Sequence, residues 1–314
     1  MSRPVYGGQA VVEGVMFAGQ HVHVTAVRRK NNEISFFEVR RVRRPWVEAL
    51  KKIPFVRGVV AIVESAAKGA QHLTFSFDKY AEDEMTPEEL AAMRQKKESG
   101  KGRDLTMILG VAAVGVLSFL FGKLVFTAVP AALESLLFGR AFGNMIWHNL
   151  LEGAIKIVFL LAYLWGISQT PLIKRLFQYH GAEHKVISAF EAGAELTVEN
   201  VQRFSRLHYR CGSSYLMFTV LIGVLLYSFP VFEWNSIWER IWIRILLLPV
   251  VMGVSYEVLR FTNALRDIPV LRWLGYPGLW LQLLTTREPT DDQVAVSIAS
   301  FNRMRELDRQ VNAS

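Results

Sequence analysis

Cysteine is almost missing from this chain: Cys211 is the only one in 314 residues. An internal disulfide framework is thereby excluded, as is a zinc ribbon, and a lone thiol fits a reducing compartment. No secretory leader is expected, because Gly7, Gly8 and Gln9 interrupt the apolar core that one would need. No internal repeat or low-complexity segment stands out. The net charge of +8 and pI of about 9.6 fit either nucleic acid or an anionic membrane surface. Neither a recognition helix nor a stacking platform accompanies the basic residues, so nucleic acid is not expected as a partner.

Apolar residues are abundant. The chain is 51% hydrophobic yet 20% charged, with a mean hydropathy of +0.22, a mixture that implies apolar blocks alternating with basic polar ones. Four blocks are long enough to cross a hydrocarbon core of roughly 30 Å. They cover about 105–129, interrupted by Lys123 and ended by Pro130, then about 147–167, 214–231 and 241–261. The second carries Glu152 and Lys156 at i, i+4, set to pair near the membrane boundary; the fourth carries Arg244 near its start and Glu257 near its end. The expected fold is a mainly α, polytopic membrane protein with four transmembrane helices, cytoplasmic amphipathic helices and a small N-terminal β-hairpin.

Lysine and arginine are concentrated in residues 1–104, in the connection between the second and third spans, and in the tail. The remaining connections hold Arg140 and Arg240 with few companions. By the positive-inside rule both termini and the central connection face the cytoplasm of a bacterial cytoplasmic membrane, with Trp147, Trp234, Trp238 and Trp242 as an aromatic belt on the far side. Three regions follow: 1–104, cytoplasmic; 105–262, the membrane domain with its loop at 168–213; and 263–314, interfacial and C-terminal helices. The expected partners are the bilayer, its anionic headgroups through the basic segments, and a second copy or another membrane protein.

In the first region, Gly7 and Gly8 suggest a tight turn opening a strand, and HVHVTAVRR and EISFFEVRRV alternate in period two around Lys30-Asn31-Asn32. One face of the first hairpin strand carries His21, His23 and Thr25, read as exposed rather than as a ligand set. From Trp46 the period becomes helical, and Arg57, Glu64, Lys68 and His72 recur as in an amphipathic helix. Residues 82–103 read as a short exposed helix running into a linker. Near the end, Thr290-Asp291-Asp292 opens a helix with Val294, Ile298, Phe301 and Met304 on one face.

The chemistry concentrates in Tyr179–Glu191, YHGAEHKVISAFE. In a helix His180 and His184 share a face and offer two imidazole nitrogens to one divalent metal ion, with zinc the leading candidate. The H-x-x-E-H spacing matches an inverted zinc-hydrolase signature in which Glu183 is the general base toward water. A catalytic zinc needs a third protein ligand, available from Cys211, His208, Glu191 or Glu257. Were His208 and Cys211 both to join, the site would be closed and structural. A structural alternative stands beside this: interface histidines hydrogen-bonded near headgroups, and Cys211 as a small buried residue whose Gly212 and serine neighbours allow close helix packing.

Four separated segments, GGQAVVEGVM (7–16), YHGAEHKVI (179–187), LHYRCGSSY (207–215) and GYPGLWLQLLTTREPTDDQ (275–293), resemble the YqhQ-like family of bacterial integral membrane proteins, a domain of unknown function described as a predicted metal-dependent enzyme. The resemblance covers nearly the whole chain. It implies membrane location and a shared polar site to which Gln9, Glu13, His180, Glu183, His184, Arg210 and Cys211 contribute. The expectation is a metal-dependent hydrolase with a cytoplasmic-side His/Glu/Cys site, against a non-enzymatic membrane scaffold or transport component in which these motifs are structural.

Overall fold

A computed structural model describes residues 6–42, 44–98, 122, 124–229 and 235–313. The chain is mainly helical with an N-terminal antiparallel sheet, and it divides into two compact units. One comprises Met1–Tyr80, Tyr163–Thr219 and Pro249–Ser314; the other comprises Ala81–Ala162 and Val220–Leu248.

The first unit is built on a four-stranded meander: β1 (Gly7–Val11), β2 (Gly14–Ala18), β3 (Val22–Arg28) and β4 (Ile34–Arg40). The expected hairpin is β3 and β4, and the glycine-rich stretch before it supplies two further strands. Val12 and Glu13 make the β1–β2 turn, with Glu13 in the left-handed region at φ 54°. Gly14 follows because β3 passes so close that a Cβ there would lie 2.0 Å from the Ala26 carbonyl oxygen. Register puts Gly8, Phe17 and Val24 on one face and Gln9, Met16 and Thr25 on the other.

After the sheet come α1 (Pro45–Leu50) and α2 (Val56–Glu84), with Phe55 at φ 66° between them. On the sheet face carrying Thr25, the Thr25 hydroxyl and His72 Nδ1 of α2 lie 2.6 Å apart, and Phe37 stacks on Phe75 with centroids 4.9 Å apart. His23 and Thr25 are therefore 6% and 0% exposed. That corrects the expected exposed hairpin face: β3 is covered on both sides.

The other sheet face packs on two long helices of the same unit. Val15, Phe17, Val24 and Ala26 meet Tyr179 and Val186 from one helix and Val294, Phe301 and Met304 from the last, with Phe17 and Phe301 edge to face at 5.0 Å. The expected C-terminal stripe is thus a core stripe, and Ile298 is 9% exposed.

In the second unit, α3 (Pro87–Glu98) is opened by a reciprocal Thr86–Glu89 cap, with Thr86 N–H donating to Glu89 at 2.9 Å. Most of the expected first span, 105–129, lies outside the described residues. A π-type turn (Leu124–Ala128) leads into α4 (Val129–Phe138), so helix continues past Pro130, which sits in the first turn where its missing N–H is harmless.

Met145–Ile167 forms α5, the one described helix that is alone long and apolar enough to cross a membrane. After α6 (Pro171–Ala192) and α7 (Val198–Gln202), α8 (Gly212–Tyr227) is apolar but only 16 residues long. The expected fourth span is two helices, α9 (Ile237–Leu246) and α10 (Leu248–Ala264), bent by 51° at Leu247. A 3-10 turn (Leu271–Gly275), α11 (Tyr276–Thr285) and α12 (Asp291–Ala313) complete the chain.

The second unit buries a charge network. Glu152 pairs with Lys156 at 3.0 Å and with both Arg240 and Arg244, while Glu134 holds Arg240 at 2.9 Å and His148 Nδ1 at 2.5 Å. Arg240, counted above as a loop charge, lies in α9 and is 1% exposed. A buried charge needs a buried partner, and Glu134 and Glu152 provide it.

Candidate metal centre

Pro at the first position opens α6, and Gly193 ends it at φ 79°. The helix lies inside its unit, so Glu183, His184 and Lys185 are all buried. Each buried polar group must then find a partner. Lys185 Nζ donates to the Gln202 carbonyl at 2.9 Å and pairs with Glu288 at 2.9 Å. Glu183 accepts from the Ala10 backbone N–H and packs beside Gly8, where a Cβ would come within 2.9 Å of its side chain.

His180 and His184 lie one turn apart with ring centroids at 4.5 Å. Their Nδ1 atoms both face backbone carbonyls: Thr285 at 2.8 Å for His180 and Arg206 at 2.6 Å for His184. Carbonyls only accept, so each Nδ1 carries a proton and Nε2 is the nitrogen left to turn toward a metal, which on His180 requires displacing the proton it shares with the Cys211 sulfur. Histidine ligands are commonly oriented by this same arrangement. His180 Nε2 lies 3.2 Å from Cys211 Sγ, and one donor atom from each of His180, His184 and Cys211 falls within 4.8 Å of the others. The donor set suits a tetrahedral divalent ion with one position open.

Electrostatics reinforce the grouping. Burial would raise the Cys211 thiol, but His180 and His184 outweigh it and hold the thiol well below its usual range. Burial would lower His180, but the neighbouring thiolate outweighs that and lifts it to about 9. Burial raises Glu183 above the ordinary carboxylate range, partly offset by the two imidazoles.

The other expected residues are placed elsewhere. His208 is tilted against His184 at 5.7 Å, but its Nδ1 accepts from Arg210 N–H at 3.3 Å and its Nε2 faces Glu191 at 3.7 Å. Arg210 binds Glu191, and Glu257 binds Arg57. Gln9 meets α2 at Gly69, and Glu13 binds Arg175 and lies 3.4 Å from the Tyr179 hydroxyl.

Sequence reasoning missed the clasp that holds the segment carrying Cys211. Gln282 is fully buried; its Oε1 accepts from His208 N–H at 2.8 Å, and its Nε2 donates to the His208 carbonyl and Ser214 Oγ, both at 2.7 Å. Arg206 donates to Thr286 Oγ1 at 2.7 Å. Gly181 lets the Thr286–Pro289 stretch reach α6, since a Cβ there would lie 2.1 Å from the Arg287 carbonyl oxygen. Gly212, expected to allow close helix packing, faces open space; Gly278 does so instead, against Ser214.

Residues 53–307 match the family described as "Protein of unknown function (DUF1385)". The chain belongs to this family. It is also 51% identical over 305 residues to the "Uncharacterized protein YqhQ" of Bacillus subtilis (strain 168), covering 97% of this chain and 93% of that one. No solved structure matches the chain. The DUF1385 match runs from just before α2 into α12 and so contains all three converging donors, while Gln9 and Glu13 fall outside it.

Proposed function

We propose that this protein is a metal-dependent hydrolase of the bacterial cytoplasmic membrane, with a divalent ion, zinc by preference, held by His180, His184 and Cys211. The observation that carries the reading is the convergence of two imidazole Nε2 atoms and one thiolate, each imidazole locked by an Nδ1–H to carbonyl bond. A bound ion would supply Lewis acidity and a nucleophile from water near neutral pH. Glu183 would take the proton as general base, and burial raises its pKa, the direction that makes a carboxylate a stronger base. Its hydrogen bond from Ala10 N–H fixes the carboxylate, and Gln282 fixes the backbone leading to Cys211.

The membrane part of the proposal keeps four spans and cytoplasmic termini. It is supported by the 23 residues of α5, whose most apolar stretch is only 17% buried, and by the bent α9–α10 pair. Exposed Val270, Trp273, Trp280 and Leu283 around α11 suit an interface with lipid, and the cationic excess of the proposed cytoplasmic segments suits anionic headgroups.

The test measures bound metal in the purified full chain. Wild type is expected to hold about one equivalent, as a single three-ligand site requires. His184→Ala and Cys211→Ser are expected to lose it, and Glu183→Gln to keep it while failing to complement a deletion strain. Equal near-zero occupancy in wild type and His184→Ala refutes the metal reading. Full complementation by Glu183→Gln favours the scaffold alternative, since a base-dependent hydrolase does not tolerate the isosteric loss of its carboxylate.

A further inference from the structure

The α2 side of the sheet carries a second place for chemistry, unused by the proposed centre. Register puts Gly7, Ala18 and His23 on this face and Gly8, which adjoins Glu183, on the other. A cavity of about 400 Å³ lies here, lined by His23 and by Arg41, Lys51, Arg57, Lys68 and Arg260. Glu64 is the only acidic residue in its lining. Glu64 pairs with Lys51 and Lys68, Glu48 lies 3.6 Å from Arg41, and Glu257 binds Arg57. Five cations face three carboxylates, so the cavity has positive charge to spare.

Two buried groups here lack partners among the described residues. His23 is 6% exposed, yet neither of its ring nitrogens makes a hydrogen bond; Arg41 Nε is likewise buried and unbonded. Unsatisfied buried donors beside surplus positive charge are what an anion site presents when empty of its anion. Burial first, then Lys68 and His72, hold His23 down at about 4, so its ring is neutral and offers one N–H and one lone pair. That combination suits a phosphate group, which both accepts and, when protonated, donates.

A second cavity of about 530 Å³ shares His23, Arg41, Glu64 and Lys68 with the first and continues along α1 and α2. Its far walls are mainly apolar, with Val42, Trp46, Val47, Val59, Val60 and Val63 alongside Arg40, Arg44 and Gln71. Of these, Val42, Trp46 and Val63 are more than half exposed, so the apolar end opens outward. Both cavities fall within the range of ordinary ligand sites.

We propose that the two cavities form one site for an anionic amphiphile, with a phosphate head group on His23, Arg41 and Lys68 and an alkyl chain along the valine and tryptophan walls. A polar head fixed by few convergent donors, with an apolar tail in a groove, matches the two linings in their order. The proposal does not depend on the metal centre.

Isothermal titration of the full chain in a neutral maltoside detergent tests it, with inorganic phosphate, hexyl phosphate and hexanol as the probes. Hexyl phosphate is expected to bind roughly tenfold or more tightly than inorganic phosphate, because its methylenes leave water, and hexanol not to bind. His23→Phe and Lys68→Met are expected to weaken hexyl phosphate by about tenfold or more, the scale of a lost charge-assisted hydrogen bond. Val59→Asn is expected to bring hexyl phosphate down to the level of inorganic phosphate and leave the latter unchanged. Absence of hexyl phosphate binding, equal affinity for the two phosphates in wild type, or unchanged affinity in both His23→Phe and Lys68→Met overturns the proposal. Micelles doped with phosphatidic acid identify the source: competition assigns the site to a bilayer lipid, and its absence, with binding intact, to a water-borne phosphate amphiphile.

Discussion

Replacing Gln282 by Leu removes a fully buried amide of similar size and tests whether the polar clasp, rather than helix packing alone, holds the Cys211 segment. Three bonds disappear: His208 N–H to Oε1 at 2.8 Å, and Nε2 to His208 O and to Ser214 Oγ at 2.7 Å. Leucine fills the space but leaves the buried His208 N–H unpaired, at about 1–3 kcal/mol, and leaves the His208 carbonyl only its longer bond from Cys211 N–H at 3.3 Å. Ser214 can rotate its hydroxyl, so its loss is the smallest. The sum is about 2–4 kcal/mol, which for a chain of this size lowers Tm by roughly 3–6 °C. Thermal unfolding of the purified protein reads this directly, and metal content reads its consequence three residues on, at Cys211. Gln282→Glu keeps an acceptor for His208 N–H and is expected to fall between wild type and Gln282→Leu. A Gln282→Leu protein melting within about 1 °C of wild type would refute the clasp, because that corresponds to less than one unsatisfied group.

Two further predictions rest on other parts of the chain. Gly181→Ala forces a Cβ to within 2.1 Å of the Arg287 carbonyl and is expected to destabilise by about 1–3 kcal/mol or more, whereas Gly212→Ala, facing open space, is expected to lie close to wild type in the same melt. Stability is also expected to fall in acid because of His72, which burial holds at about 4. Its folded pKa lies below the unfolded value of about 6.5, so the unfolded chain binds more protons in between, and stability drops as pH falls through that window, by roughly 3 kcal/mol at most. A His72→Asn variant, compared with wild type from pH 7 to 4, is expected to show a shallower loss, and identical slopes refute the assignment.

The elements that the sequence reveals are those buried on one side. In α12 the Val294, Ile298, Phe301 and Met304 stripe is visible because its opposite face is wet. The strands β1 and β2 are harder to see because the sheet is covered on both faces: Gly14, Val15, Met16 and Phe17 are all buried, so no polar alternation marks them. The arginines of α9 mislead for a related reason. Arg240 reads as a flanking charge because its partner Glu134 lies 106 residues away, and composition windows are blind to such pairs. Gln282 is invisible for want of a spacing: one amide in an apolar helix, with Thr285 and Thr286 a turn later, matches no metal or catalytic pattern.

The centre itself divides along the same line. His180, Glu183 and His184 are legible because helical geometry alone puts the two histidines on one face. The third donor comes from 31 residues away, and spacing cannot choose among Cys211, His208, Glu191 and Glu257. Satisfaction of polar groups makes the choice. Glu257 is clasped by Arg57 and Glu191 by Arg210, while His208 turns Nδ1 to a backbone N–H and Nε2 toward Glu191. Cys211 remains, its sulfur beside His180 Nε2 and its proton weakened by two imidazoles. Removing Arg210 should therefore loosen His208 and Glu191 without adding a ligand, whereas removing Cys211 takes away a sulfur that no carboxylate or guanidinium engages and that the Ser213 N–H, at 3.3 Å, supports as a thiolate.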